Sequence, residues 1–318
     1  MSTPGDVAAA AAALRDSAAE ARAGGTDVMA RLSEGLAAAP FTDLHRVREL
    51  RGVEWRADGS ARIGSTTTVA EIAADARLRS AYPALTATAG ALATPQIRAV
   101  ATLGGNLLQR NRCPYYRSAA FDCLQKGGDS CPARAGDHLH GTAVDQGAAC
   151  VAPHPSSLAV ALLAYGADVE VEGAGPRPVG DLYDGSDSTR DHVLEAGALV
   201  TGVALPVPAA GESAAYRRAT SRSRAEWPLV EAVVRVVRTG GAVTEAAVAA
   251  GAVARTPLRL PEVERALVGA SGPDAAAAAV APVPALCSPL PQTGYKAVLL
   301  RDTVRDALER ALEPQGGA

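Results

Sequence analysis

The chain has 318 residues, room for two or three domains of about 100 to 200 residues each. Its 31 basic and 34 acidic residues leave a formal charge of -3 with no long run of either sign, so nothing in it would track nucleic acid or an anionic lipid surface. No stretch has the roughly 18 to 20 apolar residues of a membrane span, and Met1 to Asp16 lacks the pattern of a signal peptide; the expected compartment is the cytoplasm, or the periplasm only if a partner's signal exports a complex.

A first helix is expected from Thr3 as cap and Pro4 as first helical residue through the Ala-rich run to Leu14. A short strand then leads to the turn Ala23-Gly24-Gly25-Thr26-Asp27, and Val28 to Leu32 opens a second helix. Ala61 to Ser65 reads as a strand. Thr66 to Thr68 cap a helix whose apolar residues Val69, Ile72, Ala73 and Ala76 recur at helical spacing. Between Arg110 and Val151 periodicity disappears while Gly, Pro, Cys, His and Asp accumulate, the pattern of a long loop held by something other than an apolar core. A helix from Ser156 to Tyr165 and a strand from Val169 to Glu172 follow, then a Pro/Ala/Gly-rich linker at 206–211. Val230 to Arg238 and Val243 to Val253 form a hairpin about Thr239-Gly240-Gly241. Helices close the chain at Pro261 to Val268, Asp274 to Val280 and Tyr295 to Leu312. Aromatic residues are only 3%, so Ala, Val and Leu must build the core by close packing.

Two constellations carry chemistry. Gly24-Gly25-Thr26 and Thr102-Leu103-Gly104-Gly105-Asn106 are turns where backbone N–H groups, unobstructed by a Cβ, can converge on an anion, with the hydroxyls of Thr26 and Thr102 as further donors. Neither has the three spaced glycines of a dinucleotide fingerprint or the lysine of a P-loop, and each alone also reads as a plain tight turn. The second constellation is Cys113, Cys123, Cys131 and Cys150, spaced C-x9-C-x7-C-x18-C within 38 residues. That spacing matches neither a zinc ribbon nor a ferredoxin run, so zinc and an iron–sulfur cluster stand level, beside unligated thiols. His138, His140 and His154 read as solvated loop residues, and Cys287 as a small buried hydrophobe.

The strings Ala23-Gly24-Gly25-Thr26-Asp27, Pro95-Gln96-Ile97-Arg98 and Ala101-Thr102-Leu103-Gly104-Gly105-Asn106-Leu107 together resemble the FAD-binding subunit of the xanthine dehydrogenase and carbon monoxide dehydrogenase family. The resemblance covers nearly the whole chain. It implies an α+β fold: two small α/β FAD-binding subdomains, 1–55 and 56–208, then a C-terminal antiparallel sheet with helices on one side, 212–318. It also implies that Ala23, Gly24, Gly25, Thr26, Asp27, Val28 and Met29 with Thr102, Gly104, Gly105 and Asn106 contact FAD. Leu199-Val200-Thr201-Gly202-Val203 is similar to the strand that passes the flavin ring, which assigns Val200. Tyr216-Arg217-Arg218 resembles the start of the C-terminal domain, where a basic residue lies near the isoalloxazine, which assigns Arg217. Weaker likenesses are Gly251-Ala252-Val253-Ala254 and Tyr295-Lys296.

Gly104-Gly105-Asn106-Leu107-Leu108-Gln109-Arg110 running into Arg112-Cys113-Pro114-Tyr115 resembles the FAD subunits of bacterial aldehyde oxidoreductases, in which the loop, here 110–151, ligates a 4Fe-4S cluster. The resemblance thus implies Cys113, Cys123, Cys131 and Cys150 as ligands. It further implies a molybdopterin-binding large subunit, a 2Fe-2S small subunit and an external electron acceptor as partners. Two departures stand out: Ser157 replaces an acidic residue after His-Pro-Ser, and the chain starts almost at the first helix where the family tends to have an extra strand, so that either an edge strand is missing or the true start lies upstream. A 4-hydroxybenzoyl-CoA reductase type subunit, which also adds a 4Fe-4S cluster, and a zinc-stapled scaffold protein without flavin are the rival readings.

Overall fold

Small residues set the packing. In the computed structural model, which describes residues 1–17, 19–37, 40–272 and 274–313, the helix Ser157–Ala164, apolar after its first residue, lies in the middle of the molecule with Leu158, Ala159, Ala161 and Leu162 fully buried. A glycine opposite it allows close approach: a Cβ on Gly251 would meet Val160 Cγ2 at 2.6 Å. Truncating one such leucine to alanine costs about 2–5 kcal/mol. Positions 18, 38, 39, 273 and 314–318 of the expected domains lie outside the described residues.

The first unit is α1 (Val7–Ser17), β1 (Glu20–Arg22), α2 (Val28–Ser33) and β2 (Phe41–Asp43), with β1 and β2 parallel. α1 begins later than Thr3-Pro4 predicts. Asp6 accepts the Ala9 N–H at 2.7 Å, while Ser2 is drawn into a parallel bridge with Thr42, so tertiary pairing claims the residues expected to start the helix.

The second unit contains β3 (Val53–Trp55), β4 (Ala61–Gly64), α3 (Val69–Ala74), α4 (Ala76–Ala81), α5 (Pro83–Ala91), α6 (Pro95–Val100), α7 (Leu103–Leu107), α8 (Ser157–Ala164), β5 (Asp168–Val171), β6 (Arg177–Pro178) and β7 (Val200–Leu205). Its antiparallel sheet runs β3-β4-β7-β5-β6. Thr68 and Glu71 form a capping box on α3, as the Thr66–Thr68 signal implies. The helix does not continue through Ala76, because Asp75 turns extended and caps α4 by accepting the Leu78 N–H at 2.8 Å, leaving Ala76 exposed.

The third unit is β8 (Glu212–Ala219), β9 (Val230–Thr239), β10 (Ala242–Gly251), β11 (Leu258–Arg259), α9 (Pro261–Leu267), α10 (Ala275–Val280) and α11 (Tyr295–Leu312), with strand order β11-β10-β9-β8. Gly240 and Gly241, at φ +59 and +89, make the two-residue hairpin turn that only such residues enter readily. Along β9, Ala232, Val234 and Val236 pack on Val304, Ala307 and Leu308 of α11, while Val233 faces the core of the second unit. The unit's own helices thus cover one face, and α5 and α8 lie against the other. The α+β class is as expected. Among the described residues, no helix is long and apolar enough to cross a membrane.

Candidate functional site: a glycine-turn cleft beside a cysteine loop

β1 delivers the chain into Ala23-Gly24-Gly25-Thr26-Asp27, where Gly25 has φ +74. Gly24 lies so close to the end of α6 that a Cβ there would stand 1.7 Å from the Val100 carbonyl oxygen. The second glycine turn starts two residues later. Thr102 bridges to Thr68, its hydroxyl accepts the Gly105 N–H at 3.2 Å, and Gly104 donates to Ser65 O at 2.8 Å. The two glycine turns, some eighty residues apart in sequence, therefore pack on each other by backbone approach.

Together they line a cleft of about 460 Å3 that also takes in Ser65, Thr66, His192 and Val200. A second cleft of about 360 Å3 shares Thr26, Asp27, Gly105 and Gln109 with the first and extends between Asn106, Arg98, Arg218 and Trp227. Both fall within the usual range of ligand sites, about 300 to 1,000 Å3. Buried polar atoms without a protein partner lie on the walls: Ser65 Oγ and His192 Nδ1 in the first, Arg218 Nε in the second. A long, polar, anionic ligand fits such a surface, because it brings the missing acceptors and donors.

Of the residues assigned to FAD, Ala23, Gly24, Gly25, Thr26, Asp27, Val28, Thr102, Gly104, Gly105 and Val200 line the first cleft. Met29 does not; its side chain turns to solvent. Asn106 borders the second cleft, and its Oδ1 accepts from Ser156 Oγ at 2.7 Å, fastening the turn to α8. Arg217 is not brought to the cleft. Alternation along β8 points it at α11, where it pairs with Asp306 at 2.7 Å, and points Arg218 into the second cleft instead. Ser157 is likewise turned inward, beside the buried Tyr216–Glu231 pair, whose Oη–Oε2 distance is 2.7 Å. Burial raises the Glu231 carboxyl despite those donors.

The four cysteines of the loop are linked through space. A hydrogen bond joins Cys131 to Cys150, lowering the former and, with burial, raising the latter; Cys113 is raised first by burial, then by the charges of Cys131 and Cys123. Donors surround the sulfurs. Amides of Tyr115 and Tyr116 face Cys113, those of Ala133, Arg134 and Val151 face Cys131, and Ala152 N–H with Gln125 Nε2, at 3.9 Å, faces Cys150. Such N–H groups stabilise thiolates and suit metal-bound sulfur. The sulfurs are not gathered tightly: among the described residues no three His, Cys, Asp or Glu side chains are set to hold one metal ion. The histidines depart from expectation. His138 and His154 are buried, His154 against the Tyr183 ring at 4.3 Å with burial holding it down to about 3, and only His140 is exposed. Cys287 is half-buried against the core of the third unit.

A carboxylate that sequence reading did not single out holds the loop in place. Asp191 accepts from Arg110 Nε at 2.9 Å, Asn111 N–H at 3.0 Å, Gln125 Nε2 at 2.9 Å and Arg255 Nη1 at 3.3 Å. Burial opposes its charge, but Arg110 and Arg255 hold its carboxyl far below the usual range.

A cleft shaped by paired glycine turns, with unmatched polar atoms on its walls and a cysteine loop at its side, defines a protein built to bind a long, polar, anionic ligand. Residues 1–208 match the family model described as FAD binding domain in molybdopterin dehydrogenase, and 214–314 match the CO dehydrogenase flavoprotein C-terminal domain. The chain belongs to the molybdenum hydroxylase family, as its FAD-binding medium subunit. Over 209 residues it is 34% identical to the aldehyde oxidoreductase FAD-binding subunit PaoB of Escherichia coli (strain K12), covering 64% of each chain. Over 86 residues it is 45% identical to the xanthine dehydrogenase FAD-binding subunit of Escherichia coli O157:H7, 27% of this chain and 30% of that one. It thus spans less than two thirds of these relatives. The crystal structure of the Cu,Mo-CO dehydrogenase has the same fold, with TM-score 0.76, 24% identity and coverage of 98% of this chain and 96% of that one. Quinoline 2-oxidoreductase from Pseudomonas putida 86 is similar, with TM-score 0.75, 20% identity and coverage of 98% and 95%.

Proposed function

We propose that this subunit holds FAD across the two abutting clefts and a 4Fe-4S cluster on Cys113, Cys123, Cys131 and Cys150, within an aldehyde-oxidising molybdenum hydroxylase complex. Its partners are a molybdopterin-binding large subunit and a 2Fe-2S small subunit, with domains dividing at 1–55, 56–208 and 212–318. The observation that carries the reading is the closure of both glycine turns on one cleft. The aldehyde assignment draws support from the likeness to PaoB, and the cluster from the N–H groups that converge on the cysteine sulfurs.

FAD, when bound, supplies the redox chemistry by which electrons from the partner's metal centres reach an external acceptor. This chain contributes binding and exclusion. The glycine turns let backbone N–H groups approach the diphosphate, Thr26 and Thr102 add hydroxyls, and Arg218 borders the second cleft. Gly105→Asp tests the assignment by setting a carboxylate against the diphosphate. Two like charges about 4 Å apart at a protein surface repel by roughly 4 kcal/mol, so flavin affinity should fall on the order of 100-fold or more. Full flavin occupancy in that variant overturns the reading. Flavin bands with a broad iron–sulfur shoulder in the absorption spectrum support the cluster, whereas a zinc-containing protein without the shoulder refutes it.

A further inference from the structure

The cysteine loop and the flavin cleft meet at a single carboxylate. Asp27, at the end of the first glycine turn, accepts from Arg31 Nε at 2.9 Å, from Arg112 Nη1, from Arg117 Nη2 at 2.8 Å and from the Arg110 backbone N–H at 3.4 Å. All but the first belong to the loop. Arg112 immediately precedes Cys113, whose N–H is fixed to Asn111 Oδ1 at 3.0 Å, and it lies over the Trp227 ring at the wall of the second cleft. Arg117 is fixed in turn by Asn111 O at 3.0 Å and by Glu34. Apolar anchorage of the loop is limited to scattered side chains such as Tyr116, Ala133 and Ala143: among the described residues, none from 110 to 150 joins a buried hydrophobic cluster. Its order depends on polar ties and on whatever the four sulfurs hold.

Resting on the reading of the cleft as the FAD site and the loop as the cluster carrier, we infer that the cluster loop is a latch on flavin binding. With the cluster in place, Arg112 and Arg117 neutralise Asp27, so that no uncompensated carboxylate stands beside the diphosphate. When the cluster is lost the loop loosens, and Asp27 keeps only Arg31, which it shares with Glu20. An under-compensated carboxylate then faces a dianionic ligand, and the turn that carries it is freed. Arg112 and Arg117 are positioning residues in this scheme, acting on the flavin through Asp27.

The test uses the full chain, with FAD affinity read from quenching of flavin fluorescence at fixed salt and iron assayed in the same samples. Removing the cluster from wild-type protein by oxidation and chelation, or by Cys131→Ser, should raise the FAD Kd about tenfold, as expected when charge-assisted hydrogen bonds are withdrawn. Arg112→Gln combined with Arg117→Gln should raise it similarly while iron content and the cluster's electron paramagnetic resonance signal persist. Combining those changes with Cys131→Ser should add little, because both act through one contact. Cluster-free protein that keeps its circular dichroism and binds FAD within twofold of wild type overturns the latch, as does full additivity. Wild-type protein that binds FAD tightly yet takes up no iron overturns the cluster reading and the latch together.

Discussion

In the glycine-turn cleft the backbone itself carries the shape: Gly24 against Val100, Gly104 against Ser65 and the Thr68–Thr102 bridge are formed by regular elements with an apolar core beneath them. A few residues further on, between 110 and 151, almost no regular structure exists, and side chains such as Asp191, Asn111 and Gln125 do the holding. One region is set by sterics and arrives with the fold; the other is set by charge and needs every partner present. The two should respond differently to mutation, pH and metal.

The largest expected effect is at the polar staple. Asp191→Ala would leave Arg255, buried like Asp191 itself, without its counter-charge, a change that costs about 3–5 kcal/mol. Denaturant unfolding should show that loss, and limited proteolysis should cut within 110–151. If metal alone ordered the loop, the metal-free protein would lose under about 1 kcal/mol, and the contrast between the regions would fail. Gly24→Ala attacks the cleft while leaving the loop's ties intact. The added methyl cannot occupy a point 1.7 Å from a carbonyl oxygen, so the turn must shift, at about 1–3 kcal/mol by analogy with overpacked cores. The expected signature is flavin loss at unchanged iron content.

Asp27 belongs to both regions, and pH separates its two attachments. Burial works against its charge, yet Arg112 and Arg117 prevail and bring the carboxyl from 3.8 down to about 2. Because the folded value is depressed, the stabilisation of about 2 kcal/mol is present above pH 4 and is lost as pH falls towards 2. Urea midpoints measured from pH 5 to 2.5 should fall more steeply for wild type than for Asp27→Asn. Equal slopes would show that the arginines do not hold this carboxylate.

The same division governs what the sequence revealed. Helix α11 was legible end to end because its apolar spacing is long, and the Thr239-Gly240-Gly241 turn because two successive positive φ angles require such residues. Both glycine turns were legible because backbone passes too close there for a Cβ, at Gly24 and Gly104 above all. Thr3-Pro4 misled because Ser2 pairs with Thr42, a contact invisible locally. Ala76 misled because Asp75 can cap as well as continue a helix. Asp191 carried no local signal at all: its partners are at positions 110, 111, 125 and 255, brought together only by the folded chain.

The smallest effect separates two neighbouring arginines. Parity along β8 puts Arg217 on the α11 side, in a partly exposed pair with Asp306, and such pairs are worth about 0–1 kcal/mol. Arg217→Ala should therefore barely move stability and leave FAD affinity unchanged. Arg218 reaches the carbonyls of Ala91 and Glu226 and lines the second cleft with its Nε unmatched. Arg218→Ala should weaken flavin binding, because two carbonyls lose their donor and the cleft loses a cation that only a bound ligand would pair. Titrating FAD into both variants checks the assignment of faces. If Arg217→Ala proved the more damaging, β8 would have to be shifted by one residue, and the side of the sheet that meets the flavin would change with it.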